Sequence, residues 1–184
     1  MSITLIFLVL ILVIPVIIMI IYNKLVKNRN LMEEGWSGIE VQLKRRTNLI
    51  PNLIESVKGY MKHEKELLSD ITRLRSESMK VNEVAEKSKL ENALTRSLGN
   101  LFAVAESYPD LKANENFLDL QNELSEIEDQ IQMSRRYYNG TVRNLNILIE
   151  SFPSNIIANM FNFQKGTFFE LDDAEEGSVP EVKF

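Results

Sequence analysis

Cysteine is absent from this 184-residue chain, and histidine occurs once, as His63. Without thiols there is no disulfide framework, no thiolate metal site and no cysteine nucleophile. With one imidazole there is no His pair for zinc, and a carboxylate-bridged di-metal centre, which needs Glu-x-x-His pairs projecting from two helices, has no ligands to draw on. Proline (5) and glycine (7) are sparse, so hairpin and tight-turn signals are few and long helices are favoured. A basic excess is also missing. The net charge is −5, and from Gly166 onward Glu170, Asp172, Asp173, Glu175, Glu176 and Glu181 stand against Lys183 alone, leaving 20 cations and 20 carboxylates in the first 165 residues. A balanced body with an acidic end has no broad attraction for nucleic-acid phosphates.

What the chain does have is one long apolar run. Ile3 to Tyr22 carries no charge, and only Thr4 is clearly polar. At about 1.5 Å per residue a helix of this length spans about 30 Å, the hydrocarbon thickness of a bilayer. A cleaved signal peptide would need a basic leading segment and a small-residue cleavage site, and neither Ser2 nor the stretch after Met19 supplies them. The expectation is a retained transmembrane anchor over residues 1–23, within which Pro15 is tolerable. Lys24, Lys27 and Arg29 lie directly after the run, which places the C-terminal side in the cytoplasm and the N-terminus outside.

The remaining residues are patterned for helices. Phe117, Leu120, Leu124, Ile127, Ile131, Ser134, Tyr138, Thr141, Leu145, Leu148 and Phe152 alternate steps of three and four, a heptad seam stopped by Pro153. Leu25, Met32, Trp36, Ile39 and Leu43 line a first helix, with Trp36 facing the core. Leu53, Val57, Tyr60, Leu67, Ile71 and Leu74 line a second, and Leu90, Leu94, Leu98, Leu101 and Ala105 a third that ends before Pro109. Four narrow apolar seams are covered most simply by an antiparallel four-helix bundle, expected over residues 24–165. Between the first two helices, Asn48 as an N-cap with Pro51 in the first turn predicts a chain reversal; a single helix kinked at Pro51 is the alternative. Ser154 is expected to cap a short extra helix with Ile156, Ile157, Met160 and Phe161 on one side. The cluster Phe161, Phe163, Phe168 and Phe169 is too apolar to stay open to water, and packs on the bundle or on a partner. Residues 166–184 form an extended acidic tail, in which Val179, Val182 and Phe184 suit extended docking to another chain or folding back on the bundle.

Groups that could carry chemistry have structural readings that fit better. His63-Glu64 begins like a zinc-protease HExxH, but Lys65, Glu66 and Leu67 come next and the second histidine is missing; His63 then reads as an exposed helical residue. A continuous helix carries Lys44, Arg45 and Arg46 about 33 Å from the membrane surface, beyond the reach of lipid charge. They are expected to pair with neighbouring helices or to sit at a helix C-terminus. Arg135 and Arg136, with Glu123, Glu126, Glu128 and Asp129, read as partners in interhelical salt bridges. No catalytic, cofactor-binding or metal-ligating residue is assigned.

Several short segments resemble the LemA family: Tyr22-Asn23-Lys24-Leu25-Val26 with Arg29-Asn30, Trp36-Ser37, Val41 to Arg46, Leu49-Ile50-Pro51-Asn52-Leu53 and His63-Glu64. In the second half Tyr108-Pro109, Leu111-Lys112-Ala113, Phe117, Leu120-Gln121, Glu123-Leu124, Arg136-Tyr137-Tyr138-Asn139, Phe152-Pro153 and the closing Pro180, Val182 and Phe184 continue it in order. Gly35 departs from the pattern, where alanine is usual. The resemblance implies a single-span protein of the bacterial cell membrane with a soluble helical bundle, no established enzymatic activity, and the company of membrane-bound peptidases or other small membrane proteins. The functional expectation is a non-enzymatic scaffold or adaptor that binds another membrane protein or copies of itself, with no nucleic acid, cofactor or small-molecule substrate. A subunit regulating a membrane-bound peptidase is the alternative, and an enzyme with an unrecognised site is a more distant one.

Overall fold

The computed structural model describes residues 3–170, with side chains from residue 12 onward. Among these the chain is all-helical: α1 (Ile3–Lys58), α2 (Lys65–Ser78), α3 (Val84–Ala105), α4 (Pro109–Lys112), α5 (Glu115–Glu150) and α6 (Ser154–Met160). They form two compact units, one of residues up to Ile39 with Ser134–Thr167, the other of Glu40–Met133 with the stretch from Phe168. The expected docking residues Val179, Val182 and Phe184 lie outside the described residues.

The anchor expected over Ile3 to Tyr22 falls within α1. The side chains of residues 3–11 lie outside the described residues, and among the described residues no helix is long and apolar enough to cross a membrane.

The expected reversal at Thr47 to Pro51 is overturned. α1 continues through Pro51 to Lys58, and the chain turns back over residues 59–64. Proline has no N–H, so the carbonyl four residues earlier, that of Thr47, loses its helical donor. Arg75 of α2 supplies another: its Nε donates to the Thr47 carbonyl oxygen at 2.8 Å. The helix is therefore kept whole at its weakest point by a side chain from the next one. The true stop lies at Gly59, where Tyr60 and Met61 N–H both donate to the Val57 carbonyl at 3.0 and 2.9 Å and close the last turn. His63 accordingly sits in the turn before α2, exposed, rather than on a helix.

The second unit has one apolar core to which five helices contribute, α4 through Leu111. Ile50, Leu53 and Val57 of α1, Ile71 and Leu74 of α2, Leu94, Leu98 and Leu101 of α3, and Phe117 and Leu124 of α5 meet in it. The α5 seam holds as far as Leu145, since Ile127, Ile131, Tyr138 and Leu145 are all buried; beyond it Ile149 is buried in place of the expected Leu148, which is half-buried. Phe152 is 81% exposed, because α5 ends at Glu150 and the helical spacing no longer directs that side chain.

In the first unit Leu25, Leu145, Ile149, Ile157, Ala158 and Phe163 make the core. Ser154 begins α6 without capping it; Pro153 is the cap residue, and Ser154 Oγ donates back to the Ser151 carbonyl at 2.9 Å. Of the apolar side expected for α6, only Ile157 is buried, while Ile156, Met160 and Phe161 are exposed. The aromatic cluster divides: Phe163 and Phe169 are buried, Phe161 and Phe168 are not. Within this unit the Tyr22 ring lies 4.7 Å from that of Phe161, and the Arg29 guanidinium lies 5.5 Å over the Phe163 ring.

The first residues of the expected tail are pinned to α5. Asn146 accepts from the Gly166 N–H at 2.8 Å and donates to its carbonyl at 3.0 Å, and Tyr138 Oη donates to the Thr167 carbonyl at 2.8 Å. A Cβ at Gly166 would fall 2.4 Å from Met32 Sδ and 3.3 Å from a Val142 methyl. A larger residue here would require the Met32 side chain to shift.

Candidate functional site: a buried charge network and a basic groove

Two seam positions in the second unit are occupied by charges. Along α1 the steps Trp36, Ile39, Leu43, Arg46, Ile50, Leu53, Val57 alternate three and four, and along α3 the same spacing runs Glu91, Leu94, Leu98, Leu101, Ala105. Arg46 and Glu91 therefore stand where leucines would, each 1% exposed. Sequence reasoning places Leu90 in the seam instead and expects Arg46 to pair with a neighbouring helix or to sit at a helix C-terminus without giving it a seam position, since a search for apolar residues passes over both charges.

The two side chains form an ion pair through Arg46 Nη2 and Glu91 Oε2. Arg46 Nη1 reaches Glu128 Oε2 of α5 at 2.5 Å and donates to Thr95 Oγ1 at 2.7 Å, while Thr95 donates onward to Glu128 Oε1 at 3.1 Å. Ser78 at the end of α2 donates to Glu91 Oε1. Four of the unit's helices, α1, α2, α3 and α5, thus meet in one polar cluster, and both oxygens of each carboxylate accept a bond. The interhelical salt bridge expected of Glu128 is present, with Arg46 of α1 as its partner, and the expected pairing of Arg46 with a neighbouring helix is met by the same contact. Arg46 lies well inside α1, so the C-terminal placement of the Lys44 to Arg46 cluster is overturned.

The network has little to offer as chemistry. Its two carboxylates share one guanidinium, its hydroxyls are engaged, and a cleft of about 340 Å³ that touches Ser78 and Glu91 is edged by Lys44 and by Lys87, which pairs with Glu40 at 3.6 Å. Among the described residues no group of three or more His, Asp or Glu side chains is placed to hold a metal ion. What such a cluster does is fix register: a buried charge is strongly disfavoured unless each helix presents its partner at the right height.

A second feature lies on the same unit. The end of α1, the adjoining turn and α2 enclose a groove of about 880 Å³. Ile54, Met61 and Leu68 give it an apolar floor, and Lys58, Lys62, Lys65, Arg73 and Lys80 line it with Glu77 as the one carboxylate. Arg73 is tied to Glu77 at 2.9 Å and also pairs with Asp70. That guanidinium holds the Asp70 carboxyl below its usual range, against a smaller opposing effect of desolvation. At the mouth of the turn, Tyr108 Oη donates to Glu64 Oε1 at 2.5 Å, and the carboxylate pushes the phenol pKa up. In the first unit, burial does the same to Tyr138.

These features define an all-helical protein in which an interior charge network locks one helical unit and a cationic groove marks its surface. Residues 35–184 match the LemA family, and as this is most of the chain, the protein belongs to that family. It is 29% identical over 158 residues to a protein from Metamycoplasma hominis named Protein LemA, covering 85% of this chain and 72% of that one. It is also 25% identical over 185 aligned positions to Magnetosome protein MamQ 2 of Paramagnetospirillum magneticum, covering 86% of this chain and 67% of the relative. Magnetosome protein MamQ of Magnetospirillum gryphiswaldense is similar at 23% over the same coverage. None of these names states a reaction.

Proposed function

We propose that the chain is a non-enzymatic binding protein held in a bacterial cell membrane by its first 23 residues, with its helical units facing the cytoplasm. The observation that carries this reading is the surface of α1: Leu12, Val13, Ile14, Val16, Ile17, Met19 and Ile20 are all exposed. They come after a further uncharged stretch beginning at Ile3. A continuous apolar surface of this kind is left open only where lipid or protein covers it. Lys24, Lys27 and Arg29, all exposed beyond it, favour a cytoplasmic position for the helical units. The pairing of both carboxylates and both hydroxyls within the buried network supports binding over catalysis, as do relatives named for a protein family and for a cellular structure.

The partner in this reading is another membrane protein or a second copy, acting with this chain as scaffold or adaptor. Exposed apolar residues on the cytoplasmic part, such as Val41 and Met133 of the second unit, are sites for a photoreactive side chain. Crosslinking from these two positions in intact membranes is expected to give protein adducts of fixed mass. Adducts to lipid and solvent alone, from both positions, would remove the scaffold reading.

A further inference from the structure

The cations of the groove are not balanced where they stand. Arg73 is neutralised by Asp70 and Glu77, and Lys58 lies 3.7 Å from Glu55. Among the described residues Lys62, Lys65 and Lys80 make no ion pair, and all three are exposed. Their charges converge on an opening whose floor is apolar, an arrangement matched by a ligand that is acidic along its length and carries a few apolar side chains.

The chain itself contains such a segment. Residues 171–184 hold Asp172, Asp173, Glu175, Glu176 and Glu181 against Lys183, with Leu171, Val179, Val182 and Phe184 between them. The segment sets out from the unit that bears the groove: the Glu170 carbonyl accepts from Asn92 Nδ2 of α3 at 2.9 Å, and Phe169 is buried. Fourteen residues in extended form reach as far as about 46–50 Å. A unit of about 100 residues has a radius of gyration of about 13 Å, so every point on its surface is within reach. A tethered segment also meets the groove at an effective concentration of order millimolar, which no free acidic peptide of the cell matches easily.

We propose that the groove between the end of α1 and α2 is a peptide-docking site whose occupant is residues 171–184 of the same chain. Lys62, Lys65 and Lys80 face the carboxylates of 172–176, and Val182 and Phe184, on one side of an extended strand, enter over Ile54, Met61 and Leu68. Proline at 180 fits, because an extended docked segment needs no helical N–H there.

The absence of cysteine allows a direct test on the full chain in membranes or mild detergent. Ser69, exposed on the groove wall, and Ser178 are replaced together by cysteine and treated with a short bis-maleimide. Asn100→Cys with Ser178→Cys serves as the reference pair away from the groove. The expected result is an intramolecular crosslink between 69 and 178 in at least fivefold higher yield than in the reference pair. The yield should fall by at least threefold in high salt and in the triple variant Lys62→Glu, Lys65→Glu, Lys80→Glu, whose helical content, read by circular dichroism, should match the parent because all three sites are exposed. Equal yields in both pairs, or a yield unchanged by the charge reversal, would overturn the proposal. So would crosslinks that appear only between two chains, when singly substituted proteins are mixed, since the occupant would then be a second copy.

Discussion

Arg46→Ala is expected to lower the stability of the second unit by about 3–5 kcal/mol, the usual cost of removing one member of a buried ion pair. The loss comes less from the vanished attraction than from what is left behind. Glu91, 1% exposed, loses its guanidinium partner and keeps the Ser78 hydroxyl as a donor, in a place that water does not reach. Glu128, with 23% of its side chain exposed, recovers part of its solvation and suffers less. Against a typical domain stability of about 5–15 kcal/mol this is a large fraction. The paired replacement Arg46→Met with Glu91→Leu should regain most of the loss, because the two charges are desolvated together in the native state and an apolar pair of similar volume avoids that cost. Thermal and urea unfolding followed by circular dichroism, on the full chain in mild detergent, distinguishes the two. An Arg46→Ala variant with parental stability would show that the network is not closed to water.

The second expected result concerns Pro51. Arg75→Ala should cost about 1–3 kcal/mol, since it leaves the buried Thr47 carbonyl without a donor. If that carbonyl is orphaned by the proline, the penalty must shrink once the proline is gone. Pro51→Ala restores an N–H at the right place in the helix and lifts a penalty of up to about 3 kcal/mol for interior proline. In a Pro51→Ala background Arg75→Ala should therefore cost at least about 1 kcal/mol less than in the parent, a coupling that a double-mutant cycle reads directly. Additive effects would mean that Arg75 acts through something other than the interrupted ladder.

The same two residues show how far the fold is legible in the sequence. The apolar seam of α5 can be followed from Phe117 to Leu145 because nearly every position in it is apolar or small. The seam of α1 runs just as regularly through Pro51, but its midpoint is Arg46, and a search for apolar residues breaks there. With the seam interrupted and a proline five residues ahead, a reversal is the natural expectation. Gly59 carries the real stop signal, two residues past Val57, the last seam position. The partner that makes a helical Pro51 tolerable is Arg75, 28 residues away from the carbonyl it serves, and no local pattern reports such a contact. Gly166 looks like the start of a solvated tail for a similar reason. The side chains that crowd it, Met32 and Val142, are distant in sequence.

The surface features are legible in composition but not in place. Lys58 and Lys62 join Lys65 and Arg73 of α2 and Lys80 just beyond it around one groove only once the turn at 59–64 is in place. The acidic segment after Glu170 is visible from charge counting alone, whereas its complement requires the turn to be located.

Binding at the cytoplasmic side depends above all on residues 3–22 being a membrane anchor. Single cysteines at Ser2 and at Ser178 in this cysteine-free chain can be probed with an impermeant maleimide in intact cells and again after lysis. Ser2→Cys should label in intact cells and Ser178→Cys only after lysis, with both proteins remaining in the membrane pellet after alkaline extraction. Labelling of Ser178→Cys in intact cells, or release of the chain into the soluble fraction, would contradict that anchored, cytoplasm-facing arrangement.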